Sequence, residues 1–156
     1  MALGACSASV LTTKQVNTGK AEDLIRTFVQ EKVSVPVGEV KCPARKAKQG
    51  DVFECTVMVE DQPLRVKVTQ ENDEGSVYVE LAQAVLNVEK ATTSIEQNVE
   101  KSEGFLMQVD CGPRRYLIKD PGSTFDCRII DPEGGPVFTM VVTVKDVEGN
   151  IDARLA

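Results

Sequence analysis

The chain is predicted to be an α+β protein made of two tandem units, each a helix packed on a four-stranded antiparallel sheet and closed by one disulfide. Three observations carry this. The stretch from Cys42 to Thr69 recurs in altered form from Cys111 to Lys145, with the first cysteines 69 residues apart and the second 72. Within the copies, Gly50-Asp-Val-Phe-Glu-Cys55 answers Gly122-Ser-Thr-Phe-Asp-Cys127, each followed by alternating apolar residues of period two. Each copy is preceded by apolar residues at helical spacing. A unit of such size buries only about 60% of its unfolded surface and tends to need a staple. Cysteines supply it: four allow three connectivities, and the repeat selects Cys42 with Cys55 and Cys111 with Cys127, so that each copy closes on itself.

The expected divisions are a lipobox and flexible tether over 1–18, a first repeat over 19–84 and a second over 85–156. Asn17, Thr18 and Gly19 form an N-cap region. Ala21, Leu24, Ile25, Phe28 and Val29 then make the apolar stripe of an amphipathic helix that Pro36 and Gly38 end. Val37 to Cys42 is a short strand, and Pro43 to Gln49 a polar loop inside the first disulfide ring. Val52 to Val59 alternates with Phe53, Cys55, Val57 and Val59 inward. Asp61-Gln62 is the expected turn, and Leu64, Val66 and Val68 lie on the return arm. Asn72 to Gly75 turns the chain into a fourth strand through Val77, Val79 and Leu81.

In the second copy Val88, Ala91, Thr92, Ile95 and Val99 form a weaker stripe, with Ser94 and Gln97 as an alternative cap for a shorter helix. Strands follow at Phe105 to Asp110, through Phe125, Cys127 and Ile129, at Val137 to Val144 and at Asn150 to Leu155.

Cys6 is the odd cysteine. Leu3-Gly4-Ala5-Cys6 resembles the lipobox of bacterial lipoproteins, in which small residues admit a signal peptidase and the thiol receives a diacylglycerol. Only five residues precede Cys6, so the signal segment that belongs before a lipobox is not within this sequence. Either the start is trimmed or the match is accidental, and the competing reading is an exposed thiol on a tail.

The landmarks Cys42-Pro43, Gly50, Phe53, Cys55, Val66 and Val68 resemble a family of secreted actinobacterial domains of unknown function, often found in lipoproteins and membrane-tethered proteins. Cys111, Pro113, Gly122, Phe125 and Cys127 follow the same pattern, with Gly112 inserted and a longer hairpin. The resemblance implies an envelope location and paired cysteines, and no activity. In element order alone, the tandem is similar to the β-lactamase inhibitory protein.

Chemistry is sparse. The chain has no histidine, the commonest general base. Glu71, Asp73 and Glu74, or Asp131 and Glu133, are candidate paired carboxylates, but both groups sit in turns where acids are ordinarily solvated. No catalytic residues, metal ligands or cofactors are therefore assigned. With 24 acidic against 18 basic residues the net charge is -6, which disfavours nucleic acid as a partner. Against that background both disulfide rings are locally basic: Arg45, Lys46 and Lys48 in the first, with Lys41 just outside it, and Arg114, Arg115 and Lys119 in the second. They are candidate contacts for an anionic envelope component, the plainer reading being solvated loop charges. Tyr116 would stack on such a ligand or pack over its own disulfide.

The functional expectation is a non-enzymatic, lipid-anchored cell-envelope lipoprotein, acting as a binding or scaffolding module held to the membrane through Cys6. Its partner would be an envelope protein or an anionic envelope component. Without lipid on Cys6 it would be secreted, and the alternative is a proteinaceous inhibitor of an extracellular enzyme.

Overall fold

The computed structural model describes residues 14–156, so Cys6 and its lipobox lie outside the described residues. Asn17 sits in extended backbone and accepts from the Lys20 amide through its side chain, which starts helix α1 at Thr18–Gln30. Ala21, Ile25 and Val29 form its buried face. Leu24, expected on that face, is instead 45% exposed, because the contact surface is narrower than the sequence stripe. Gln30 carries the chain out of the helix: its Nε2 donates to the carbonyls of Val33 and Val35, and its Oε1 accepts from Val37 N.

Four strands follow, β1 (Val37–Lys41), β2 (Val52–Val59), β3 (Gln62–Gln70) and β4 (Val77–Leu81), and form one antiparallel sheet in chain order. The β2–β3 turn is Glu60–Asp61, one residue earlier than expected. Both residues have positive φ, 47° and 63°, as in the type I′ turn whose twist matches a tight hairpin. Gln62 thereby pairs with Val59 and enters β3. Phe53, Cys55, Val57, Val59, Leu64, Val66 and Val68 are buried together with Ile25 and Val29 in one apolar cluster.

An unexpected two-stranded sheet comes next. β5 (Ala84–Asn87) pairs antiparallel with β7 (Tyr116–Lys119), aligning Asn87 with Tyr116 and Val85 with Ile118. Asn87 is also the N-cap of α2 (Val88–Glu103), accepting from Lys90 N, so Ser94 caps nothing. Gly104 ends that helix in the left-handed region at φ 78°. β6 covers only Gln108–Asp110, leaving Phe105 and Leu106 in the connection. β8 (Thr124–Ile130), β9 (Phe138–Val144) and β10 (Ile151–Leu155) complete a second four-stranded antiparallel sheet in the order β10-β9-β8-β6. Val88, Ile95, Val109, Cys127, Ile129, Met140 and Val142 form its core.

Cys42 is bonded to Cys55 and Cys111 to Cys127. Each bond ties the chain leaving an edge strand to the strand beside it and contributes about 3 kcal/mol by restricting the unfolded chain. The fold is thus α+β, with antiparallel sheets, helices against them and two disulfides. Among the described residues no helix is long and apolar enough to cross a membrane.

Candidate functional site: the basic ring, the seam and an apolar groove

The first disulfide ring is held more firmly than a polar loop would suggest. The stretch expected to be tether reaches back to it, with Val16 N donating to Arg45 O at 2.9 Å and Ala47 N to Lys14 O at 2.8 Å. Val16 is itself buried in the first core. From the other side, Gln70 sits 1% exposed at the end of β3. Its Oε1 accepts from Lys48 N at 2.7 Å, while its Nε2 donates to Lys46 O at 3.0 Å and Asp51 Oδ2 at 3.1 Å. With the backbone fixed, Arg45, Lys46 and Lys48 present exposed side chains. The Arg45 guanidinium stands 5.8 Å from the Phe53 ring centre, a cation–π contact. Lys41 lies outside the ring and pairs with Glu39 at 3.4 Å.

The second basic stretch is used differently. Arg114 Nη1 donates to the Glu60 carbonyl at 3.0 Å, on the turn of the other sheet. The Arg115 carbonyl accepts from Val88 N at 2.9 Å, tying the stretch to the start of α2. The two groups of sequence candidates therefore separate, Arg45, Lys46 and Lys48 on a presented ring and Arg114 in an internal seam.

That seam was not legible beforehand. Tyr116 neither stacks outward nor packs over its own disulfide; it is 3% exposed and belongs to the first sheet's apolar cluster. Its Oη accepts from Ser34 N at 2.8 Å and lies 3.0 Å from Ser34 Oγ. These contacts, led by the Ser34 hydroxyl, draw the phenol below its ordinary value of 10.0 against the opposing effect of burial. Around it, Tyr116 N donates to Glu60 Oε2, Gln62 Nε2 to Tyr116 O, and Ile118 N to Gln62 Oε1. Arg65 Nη2 meets Asp120 Oδ1 at 2.6 Å, and Gln83 Nε2 donates to the same oxygen. The only sequence signal was an aromatic residue beside two arginines, which does not say whose core it fills.

Two concavities accompany these features. A cleft of about 770 Å³ runs past the seam, with Lys32, Ser34, Asn87, Lys90, Tyr116 and Asn150 among its lining. A groove of about 680 Å³ lies on the second sheet between the α2–β6 connection and the β8–β9 turn, lined by Phe105, Leu106, Met107, Pro132, Glu133 and Phe138. In the acidic turns Asn72 accepts from Glu74 N and Ser76 N, Asp131 accepts from Glu133 N within its own turn, and Asp73 accepts from Gln49 N of the first ring. Among the described residues no three His, Cys, Asp or Glu side chains gather as a metal site would require.

Residues 1–75 match the family model of a domain of unknown function, DUF4333. No curated protein and no solved structure matches the chain. The DUF4333 match takes in α1, β1, β2 and β3, the Cys42–Cys55 bond, the basic ring and the seam residues Ser34, Glu60, Gln62 and Arg65. Tyr116, which fills the seam, lies beyond it.

Proposed function

We propose that this chain is a non-enzymatic binding or scaffolding module of the cell envelope, tethered through lipid on Cys6, with residues 19–84 and 85–156 as tandem copies of one unit. The observation that carries the tethered reading is the cysteine accounting. Cys42, Cys55, Cys111 and Cys127 are consumed in two disulfides, which leaves Cys6, in its Leu-Gly-Ala-Cys setting, as the fifth cysteine of the sequence. Disulfides are compatible with an oxidising, extracytoplasmic compartment. Two or three acyl chains on one residue would anchor firmly where a single chain would not.

Support for duplication comes from the turns as well as the sequence. Gly50 N to Gln70 O recurs as Gly122 N to Val144 O, Asp51 N to Lys48 O as Ser123 N to Asp120 O, and Glu71 N to Ser76 O as Lys145 N to Asn150 O. An origin among the secreted actinobacterial domains belongs to the same reading, as does the basic ring as the surface that meets an envelope protein or anionic polymer.

The test is intact mass and thiol titration of protein made with its native leader in an actinobacterial host. Two disulfides and an N-terminal Cys6 carrying a diacylglycerol-sized addition are expected. A soluble, unmodified chain with a free Cys6 thiol would overturn the tethered reading and put the secreted-inhibitor reading first. Charge reversal at Arg45 and Lys46 is expected to weaken envelope association; unchanged association would remove the ring from the mechanism.

A further inference from the structure

The seam and the groove occupy the same place on the two sheets. On the first sheet that place lies between the α1–β1 connection, which holds Val33, Ser34 and Val35, and the β2–β3 turn at Glu60–Asp61. It is filled by the segment that follows the first cysteine of the other disulfide: Arg114 reaches the turn's main chain, and Tyr116 enters the core and meets Ser34. On the second sheet the corresponding place lies between the α2–β6 connection, Phe105–Met107, and the β8–β9 turn from Asp131 to Val137. That is the 680 Å³ groove. Its apolar residues remain in solvent, Leu106 at 71% exposure, Phe105 at 53% and Phe138 at 47%. A contiguous apolar surface of this kind marks an interaction site.

The segment corresponding to Arg114–Lys119 is the first disulfide ring, which follows Cys42 as the other follows Cys111. Both are tied to the segment entering a helix, the ring through the isolated bridge of Lys46 to Gln15 and its counterpart through Ile118 opposite Val85 on β5. Arg45, Lys46 and Lys48 are exposed, and none forms a salt bridge among the described residues. The groove is rimmed by Asp131 and Glu133. The shapes correspond by position in the fold, and the charges are opposite.

We propose that the groove at Phe105–Met107 and Asp131–Phe138 receives the basic ring, Ala44 to Lys48, of a second copy of this chain. Arg45 meets Asp131 and Glu133, while Ala44, Ala47 and the lysine stems cover Leu106 and Phe138. Each chain then offers one ring and one groove on different surfaces, so the contact is head-to-tail and propagates unless it closes into a circle. This deepens the scaffolding reading by naming its partner. It rests on the duplicated architecture and not on lipid at Cys6.

The test uses the full chain carrying Cys6→Ser, which removes both lipid and intermolecular disulfides, in sedimentation velocity across protein and salt concentration. The parent is expected to grow beyond a dimer as concentration rises and to dissociate with salt. Arg45→Glu with Lys46→Glu breaks the ring, Leu106→Glu breaks the groove at an exposed position, and each variant alone is expected to sediment as the 17.0 kDa monomer. An equal mixture retains one good ring and one good groove, and is expected to give a one-to-one pair that extends no further. A parent monomeric up to about 1 mM, the weak end of specific association, would overturn the proposal. So would a ring variant that associates like the parent, or a mixture that stays monomeric while the parent associates. A monomeric parent that still binds anionic polymer through Arg45 and Lys46 would leave the envelope reading standing without this one.

Discussion

On the first sheet the β2–β3 turn takes two residues and lies beneath Tyr116; on the second, the β8–β9 turn runs from Asp131 to Val137 and leaves its neighbour Leu106 71% exposed. The tight turn points Glu60 and Gln62 at the incoming β7 strand and gives its main chain three hydrogen-bonding partners: Glu60 Oε2, Gln62 Nε2 and Gln62 Oε1. The long turn, carrying Gly134, Gly135 and two prolines, spends Asp131 on its own Glu133 amide. Turn length thus decides which sheet can hold a strand from elsewhere in the chain. The sheet that cannot do so keeps an apolar surface.

Removing the tyrosine would break this contrast most severely. Tyr116→Ala empties an aromatic-sized volume in the first core and is expected to cost about 3–5 kcal/mol. Urea unfolding followed by circular dichroism should then split into two transitions, as the sheets lose their coupling. One transition at an unchanged midpoint would contradict the seam described above.

The disulfides sharpen the comparison. Replacing either cysteine pair by alanine is expected to cost about 3 kcal/mol. Loss of Cys111–Cys127 should in addition raise amide exchange at Ser34, because that ring leads directly into Tyr116. Loss of Cys42–Cys55 should leave Ser34 protected. Equal protection at Ser34 in both variants would show that the seam holds itself without its ring.

Tyr116→Phe keeps the volume but strands the Ser34 amide and hydroxyl, and is expected to cost about 1–2 kcal/mol. In the parent, phenolate absorbance should include a step below 10.0 from Tyr116. The variant should lose the lower step.

The smallest effect concerns an edge. Asp110 on β6 faces Arg128 on β8, and the Arg128 hydrogen bond holds its carboxyl below the ordinary 3.8. The corresponding pair on the first sheet is Lys41 opposite Thr56. As pH falls, the unfolded chain takes up the Asp110 proton first. The contribution is therefore complete above pH 3.8 and is lost as pH drops through the folded value. Arg128→Gln should raise the carboxyl's titration, as read by NMR, while the Gly112 amide still holds it down, with little change in melting temperature because the pair is exposed.

Much of each sheet was legible because strand alternation is a local signal. Phe53, Cys55, Val57 and Val59 declare their face without reference to anything distant, and Asn17 caps its helix within four residues. What escaped was non-local. The β5–β7 pair joins residues about thirty apart with no turn between them to announce the pairing. Tyr116 is buried by a core whose other members lie on the first sheet, on α1 and on the segments flanking that helix. The exposed groove was hidden for the converse reason: Phe105 and Leu106 read as strand residues, and only the shortness of β6 places them outside. Arg114 was rightly grouped with Arg115 by charge, yet it serves a carbonyl inside the molecule.

Gln70 separates the two halves in one further respect. Its place at the end of β3 is taken on the second sheet by Val144, equally buried, whose side chain seals the corner but has no polar atoms to hold a loop. Because the glutamine clasps Lys46, Lys48 and Asp51 from beneath, the basic ring loses little conformational freedom on meeting a partner. Encounter should then proceed at a rate set by long-range charge rather than by loop ordering. The second ring, lacking such a clasp, acquires its order from the chain it already touches.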